Sequence, residues 1–293
     1  MEPHRVALAK LARLLFERRG RRPEVTMPRF RYAMTPAKEK RFMRELRGQG
    51  EGADYRPWLT VADVPSRGRS HRLSCEKTGY RTMHFLSDHE YAAFLEAWWD
   101  EFVKDIREQY PIDLKSTLTI AGKLNVKHPT DPRTGVLLIQ TTDLLLTMRA
   151  FRSNPCHAAW AVKNRQQLAD ERTLEKLEIE RRYWENRGVP WTLVVNDGLN
   201  SVRALNLDWL FNFELTLRGN TRVSNTCVKR VLAASRQKGA EPACLICRHL
   251  DRSSRTEVGA HLTAFRFLLF ARILKGSFES DTFANQPLSS FTS

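Results

Sequence analysis

The chain has 293 residues, 42% of them hydrophobic and 28% charged, which is enough for one large or two ordinary globular domains. Its 48 Lys and Arg residues against 33 Asp and Glu residues give a formal net charge of +15, which favours a polyanionic partner such as nucleic acid. No apolar run reaches about 18 residues, so no membrane span is predicted. Five scattered cysteines and the absence of a visible signal peptide favour a cytoplasmic protein with reduced thiols.

Residues 1–46 are predicted to form a basic extension, because residues 1–50 contain 14 Lys and Arg against 5 Glu. Val6–Phe16 is predicted to be a short helix. A second helix is predicted over Thr35–Leu46, where Thr35 suits the N-cap and Pro36 suits the first helical position. A solvated arm and an arm that contacts phosphates both fit this composition.

Residues 47–197 are predicted to form an α/β domain with a mixed sheet, because apolar strand segments alternate with helices. The sequence SDHE at 87–90 is a capping box that begins a helix. A helix over 170–187 is predicted to end before Gly188, which suits a left-handed C-cap. The other predicted elements are strands over 103–112, 136–147, 158–163 and 189–196, and a loop over 121–129.

Residues 198–293 are predicted to be mostly helical. The expected helices lie over 205–213, 223–237 and 254–274, the last with a break at Gly259. Alternation in the tail after Gly276 predicts a short hairpin. Helices followed by a hairpin suggest a winged-helix-like domain.

Three polar residues stand out in the α/β domain: Glu90 in the first turn of a helix, and Asp143 and Lys163 on consecutive strands. If they converge, the two carboxylates suit Mg²⁺, which prefers oxygen ligands, and the lysine suits a nucleophilic water. Such a set fits hydrolysis of a phosphodiester. In the alternative interpretation, Asp143 and Lys163 are surface residues of a hairpin and Glu90 is only a helix cap.

Glu180 falls inside the apolar arc of the 170–187 helix, where a carboxylate needs a partner. Lys176, one turn earlier, would be a structural partner, whereas a metal ion or the lysine of an adjacent site would be a functional one. Spacing leaves both open. Cys244 and Cys247 have half the spacing of a zinc site, but no second pair of ligands follows at a suitable distance, so zinc is disfavoured.

A series of segments in the α/β domain resembles the TnsA family, the endonuclease subunits of heteromeric transposases of cut-and-paste bacterial transposons. The segments run in order over residues 47–197. They include RGQGEGADYRPWLTV (47–61), LSDHE (86–90), DIREQYP (105–111), TTD (141–143), AVK (161–163) and DERTLEKLEIERRYW (170–184).

The resemblance implies a restriction-endonuclease-like catalytic domain of the PD-(D/E)xK type and a C-terminal winged-helix-like domain that binds partners. It implies that Glu90, Asp143 and Lys163 are catalytic, that Glu90 and Asp143 bind Mg²⁺ or its substitute Mn²⁺, and that Glu180 is a further acidic residue of the site. It also implies cleavage of the 5′ strands of double-stranded DNA at transposon ends. The implied partners are a TnsB-like transposase subunit and a TnsC-like ATP-dependent regulator that contacts the C-terminal region.

Two positions depart from the family's usual pattern. Ala161 stands where a polar residue, usually glutamine, is expected, and Asn164 stands where proline is usual. The first change removes a group that would bind metal or position water. The alternative function is therefore a weakened or inactive subunit that binds DNA and assembles the same complex.

Overall fold

The computed structural model of the chain describes residues 32–65, 68–151, 154–219, 222–237 and 239–293. The chain divides into two compact units, Met1–Ala33 and Met34–Ser293. The predicted helix Val6–Phe16 lies outside the described residues. In the described part of the chain, no helix is long and apolar enough to cross a membrane.

A four-stranded mixed sheet is the centre of the second unit. Its strands lie in the order Val103–Pro111 (β3), Thr141–Phe151 (β4), Asn154–Lys163 (β5) and Trp191–Val195 (β6), and β6 is parallel to β5 while the other neighbours are antiparallel. A separate ribbon pairs His71–Leu73 (β1) with Met83–Phe85 (β2).

Helices cover both faces of this sheet, as expected for an α/β domain of the restriction-endonuclease-like class. The helices of the described ranges are α1 Pro36–Arg44, α2 Asp88–Trp99, α3 Leu114–Leu124, α4 Glu171–Glu185, α5 Val202–Arg218, α6 Asn225–Ser235, α7 Ala243–Ser254 and α8 Ala260–Phe270.

Alternation along β4 divides the core into two clusters. Leu144 and Leu146 belong to the larger cluster, which also contains apolar residues of α2 and of the C-terminal helices. Leu145 belongs to a second cluster with residues of α3 and α4. Because successive side chains of a strand point to opposite faces, Asp143 shares the face of Leu145 and is directed towards α4.

Helix starts follow the predicted capping signals. Thr35 Oγ1 accepts a hydrogen bond from Lys38 N at 3.2 Å, and Ser87 Oγ accepts one from Glu90 N at 3.2 Å. After α4, Gly188 adopts a left-handed conformation with φ of 66°. The helices predicted over 35–46 and 170–187, and the helix start predicted at Ser87, are therefore confirmed.

The predicted loop over 121–129 is wrong in its first part, because α3 extends to Leu124. The Asp113 carboxylate begins this helix by accepting a hydrogen bond from Ser116 N at 2.7 Å. Ile120 and Ala121 then pack into the second cluster. Three β-branched residues in the middle of α3 lower its intrinsic helix propensity, and burial of its apolar side overrides that preference.

The strand predicted over 136–147 begins later, at Thr141. The preceding residues Val136, Leu138 and Ile139 pack instead against a small cluster that contains Phe42 of α1 and Trp58. Their apolar character reflects this packing and not a place in the main sheet.

The C-terminal region is helical, but the helix predicted over 254–274 begins only after Gly259, where φ is 90°, and spans Ala260–Phe270; Ser254 ends the separate helix Ala243–Ser254, which the sequence pattern did not predict. No strand is present among the described residues of the tail, so the predicted hairpin is wrong; Lys275 and Thr292 form only an isolated bridge. The Asn206 amide donates to the carbonyls of Phe278 and Asp281 and so takes up backbone groups that a hairpin would use. The winged-helix arrangement is not confirmed.

The larger core continues from the sheet into the C-terminal helices. Phe94 of α2 meets Phe211 of α5 edge to face, with ring centroids 5.3 Å apart. Residues 34–293 form one compact unit. The domain boundaries at 46/47 and 197/198 therefore stay predictions.

Candidate active site

Asp143 and Lys163 meet where β4 and β5 separate. At the end of the sheet that carries Asp143, pairing between β4 and β5 stops at Leu144 and Trp160. Strand β5 nevertheless stays paired with β6 as far as Lys163. Beyond that pair, Asp143 Oδ2 accepts hydrogen bonds from Val162 N at 2.7 Å and from Lys163 Nζ at 3.0 Å. A side-chain carboxylate has replaced a backbone carbonyl as the partner of Val162, which opens the sheet at this point.

Glu90 approaches from the start of α2, and its carboxylate accepts three hydrogen bonds. Leu86 N and Gln109 Nε2 donate to Oε2 at 3.0 and 3.2 Å, and Ser87 Oγ donates to Oε1 at 3.2 Å. The Glu90 side chain therefore reaches back to the start of its helix, as the capping interpretation predicted, although the donors there are Leu86 N and Ser87 Oγ. This role is compatible with a place in the catalytic site, because the carboxylate is only 8% exposed and the charges of Asp143 and Lys163 act on it.

Glu180 approaches from α4, on the face of the sheet that Asp143 occupies. It is 6% exposed, and its Oε1 atom has no partner of regular hydrogen-bond geometry within the described part of the chain, although the side chains of Thr142 and Trp191 favour its ionised form and lower its pKa. The structural partner considered from the sequence, Lys176, forms no ion pair with Glu180 within 4.0 Å. An almost fully buried carboxylate without a regular partner for one oxygen is costly, and the charge of Lys163 partly offsets that cost.

The electrostatics of this site are unbalanced. Burial, and then the charge of Asp143, raise the pKa of both Glu90 and Glu180 to about 7. Burial lowers the pKa of Lys163, but Asp143, Glu180 and Glu90 together outweigh it and leave that pKa above its ordinary value. We call Glu90, Asp143 and Glu180 the acidic cluster. Among the described residues, this cluster has one close ammonium group, that of Lys163.

A cleft of about 370 Å³ opens onto the acidic cluster. Asp143, Lys163 and Glu180 line it, whereas Glu90 does not. The remaining lining residues are Pro129, Leu138, Ile139, Gln140, Thr141, Gln167, Thr173, Lys176 and Leu177. The structure therefore brings the four predicted residues into one electrostatic neighbourhood, with three of them accessible from the same cleft.

Sequence reasoning missed two residues of this neighbourhood. Gln109 on β3 contacts Glu90 directly, although nothing in the strand pattern distinguishes it from its neighbours. Lys176, considered only as a partner of Glu180, is exposed and lines the cleft. Lys176 lies one turn before Glu180 on α4, and residues four apart share a helix face. This spacing could have predicted that Lys176 lies on the same side of the helix as Glu180, next to the cleft.

The departure at Asn164 has a structural explanation. Asn164 N donates to Gln167 Oε1 at 2.9 Å, and Gln167 N donates to Asn164 Oδ1 at 2.8 Å. This reciprocal pair fixes the turn that carries Gln167 into the cleft. A proline at position 164 has neither the N–H nor the side-chain oxygen for these contacts.

Because residue 161 is alanine and not the usual polar residue, β5 has no polar side chain two residues before Lys163. Ala161 is fully buried, and residues two apart on a strand share a face, so its methyl group lies on the side of Lys163. No hydrogen-bonding side chain at this position is available to the Oε1 atom of Glu180.

The donor set suits a hard divalent cation. The acidic cluster offers oxygen ligands, which Mg²⁺ prefers, and two carboxylates with water complete an ordinary Mg²⁺ shell. The Oε1 atom of Glu180, which lacks a regular partner, and the excess negative charge agree with this fit. Within the described ranges, however, no group of three or more His, Cys, Asp and Glu side chains is arranged to hold a metal ion. Cys244 and Cys247 lie on helix α7 and belong to no such group in the described part of the chain.

Comparisons with known proteins agree on one family. The family model described as TnsA-like endonuclease, N-terminal, matches residues 100–196. The transposon Tn7 transposition protein TnsA of Escherichia coli is 39% identical over 232 residues, which cover 78% of this chain and 81% of that protein. Asp143, Lys163 and Glu180 lie inside the span matched by the family model, and Glu90 precedes it.

Proposed function

We propose that this chain, which belongs to the TnsA family of transposase endonuclease subunits, hydrolyses one phosphodiester bond in the 5′ strand at each end of a transposon. The observation that carries this proposal is the contact between Asp143 and Lys163 at the opening of β4 and β5, beside the buried carboxylates Glu90 and Glu180. Acidic residues next to a retained ammonium suit attack by water on an anionic phosphodiester.

Glu90 and Asp143 would hold a Mg²⁺ ion, with Glu180, which lines the cleft together with Asp143, as the third carboxylate of the site. When bound, the ion would lower the pKa of a water molecule and offset charge on the phosphate. Because the surrounding carboxylates raise the pKa of Lys163, its ammonium stays protonated at neutral pH. Lys163 therefore orients water and balances developing negative charge, and it does not act as a base.

Double-stranded DNA is the proposed substrate, and the cleft offers cations to receive its backbone. Lys176 is exposed at the cleft wall and forms no ion pair within the described residues. The net charge of +15 supplies the long-range attraction to a polyanion. A TnsB-like subunit that processes the 3′ ends and a TnsC-like regulator are the proposed partners of the complete reaction.

The decisive experiment is strand-specific cleavage of transposon-end DNA by the reconstituted complex, measured in a single turnover. We expect Asp143→Ala and Lys163→Ala each to lower the rate of 5′ cleavage by about a thousandfold, as removal of a group that stabilises a transition state does. Lys104→Ala and Asp54→Ala are matched controls, since both residues are exposed and lie outside the cleft. Unchanged 5′ cleavage by both site variants would refute the assignment.

A second candidate function rests on Ala161. Without a polar group at this position, the chain would be a subunit that binds DNA and assembles the complex but does not cut. The same experiment decides between the two: the wild-type complex would bind and process the 3′ ends, and the 5′ strands would stay intact at every Mg²⁺ and Mn²⁺ concentration.

A further inference from the structure

Gln109 combines burial, an unusual backbone and a contact with a candidate metal ligand. It belongs to β3, yet its φ is 48°, a left-handed value that is uncommon for residues other than glycine. It is 2% exposed. The pairs Glu108 with Leu144 and Tyr110 with Thr142 on either side place it beside Asp143 on the neighbouring strand.

The contacts of Gln109 determine which way its amide points. Its Nε2 atom lies 3.2 Å from Glu90 Oε2, and its Oε1 atom accepts from Thr141 Oγ1 at 2.9 Å. When the Glu90 carboxylate is ionised it only accepts hydrogen bonds, so in that state the NH₂ group faces Glu90 and the oxygen faces Thr141. The amide thus links Glu90 to Thr141, a residue of the cleft wall.

The unusual backbone is held from outside the strand. Trp58 N donates to the carbonyl of Gln109 at 3.1 Å, and the side chain is bonded at both ends. Backbone strain persists only where the surroundings enforce it, and such positions concentrate at functional sites. In a regular strand, the side chain of residue 109 would follow the alternation between the two faces of the sheet. The left-handed backbone at Gln109 breaks that alternation and directs the side chain to Glu90.

We propose that Gln109 is a positioning residue that holds the Glu90 carboxylate in its orientation towards the metal site, an inference that rests on the proposed function. A neutral amide suits this place because it donates to the carboxylate without adding charge beside Asp143. Groups that orient a metal ligand commonly change metal affinity or activity by about 10–100-fold when removed.

The variants Gln109→Gly and Gln109→Asn distinguish the contribution of the side-chain amide from that of the unusual backbone conformation. Glycine adopts a positive φ freely, and asparagine tolerates it better than most residues. Asparagine is one methylene too short to link Glu90 with Thr141. We expect Gln109→Gly to stay folded, because relief of the positive φ partly offsets the loss of the buried amide contacts, and we expect its Mn²⁺ affinity, measured by electron paramagnetic resonance, to fall by about 10–100-fold.

Cleavage provides the second measurement. In the reconstituted complex, both variants should need about 10–100-fold more Mg²⁺ for half-maximal 5′ cleavage, and excess Mg²⁺ should restore most of the rate. Added to Glu90→Ala, Gln109→Gly should cause no further loss, because the two residues act as a unit.

The possible outcomes distinguish failure of the positioning role of Gln109 from failure of the proposed endonuclease function. If Asp143→Ala keeps both Mn²⁺ binding and 5′ cleavage, the proposed function fails. If Asp143→Ala abolishes them while folded Gln109 variants match the wild type in both, only the positioning role fails. A loss of rate with unchanged Mn²⁺ affinity, or unfolding of both variants, also overturns it, since Gln109 would then act elsewhere or only support the fold.

Discussion

Two buried charged groups of this protein lie on the same sheet and are built differently. Arg81 and Glu108 form a bidentate pair at 2.8 and 2.7 Å, with side chains 6% and 0% exposed. Arg81 also donates to the carbonyls of Gly52 and Ile106, and His84 N donates to Glu108. The acidic cluster instead has three carboxylates around Lys163, and one oxygen of Glu180 has no partner of regular hydrogen-bond geometry in the described part of the chain.

We interpret the difference as one between a structural use of buried charge and the proposed functional use. Arg81 and Glu108 satisfy each other and tie the loops before α2 to β3. The acidic cluster leaves negative charge uncompensated, which weakens the fold locally and provides what a cation would neutralise. Uncompensated buried charge is expected where function requires it and is otherwise removed by pairing.

Breaking the balanced pair should give the largest change in stability. Arg81→Met keeps the volume but leaves Glu108 charged and buried, and we expect the free energy of unfolding to fall by about 3–5 kcal/mol. Denaturant titration measures it. The double variant Arg81→Met, Glu108→Leu should recover most of that loss, and equal losses in the single and double variants would contradict a paired role.

Removing a carboxylate from the unbalanced group should act in the opposite direction. Burial raises the pKa of the Glu180 carboxyl group to about 7, so its ionised form destabilises the fold at pH 8. Because Glu180→Gln removes that charge, the metal-free variant should gain on the order of 1 kcal/mol in its free energy of unfolding at pH 8. In the same variant, 5′ cleavage should fall.

Glu178, two residues earlier on α4, is the matched control for Glu180→Gln. Hydrogen bonds from Arg181 and Arg182 lower its pKa to about 2, so Glu178→Gln should cost a few tenths of a kcal/mol, as for exposed pairs. Destabilisation by Glu180→Gln would show that this carboxylate is satisfied in the fold.

The pH dependence of stability should distinguish the same two glutamates. The folded-state pKa of Glu180 lies above its ordinary value of 4.5, so its contribution is fully present below pH 4.5 and is lost as the pH rises to about 7. The stability of the wild type minus that of Glu180→Gln should therefore fall across this window and level off above it. Urea titrations in the absence of metal measure this difference; a difference that rises with pH would contradict it.

The smallest expected effect concerns the cleft wall. Lys176→Ala should weaken DNA binding and reduce the slope of log affinity against log salt by about 1, as loss of one phosphate contact does. Arg181→Ala is the control, because Glu178 and Glu185 already pair with that guanidinium. Fluorescence anisotropy over a salt series measures both, and equal slopes for Lys176→Ala and wild type would remove Lys176 from the interface.

The sequence by itself determined the features that depend on neighbours along the chain. Capping residues located the helix starts at Thr35 and Ser87, and Gly188 located the end of α4, because these signals act within one turn. The ordered motifs predicted Asp143, Lys163, Glu90 and Glu180 as site residues. The same local signals failed for α3, whose β-branched residues are helical only because its apolar side is buried.

Only the tertiary structure decided what depends on strand pairing and burial. It showed that Glu180 faces Lys163 and not Lys176, because α4 covers the face of β4 that carries Asp143. It also showed that Gln109 reaches Glu90, which requires a left-handed turn in β3 that no sequence pattern announces. Charge balance is a property of groups far apart in the chain, and so the contrast between Arg81–Glu108 and the acidic cluster appears only when the sheet is assembled.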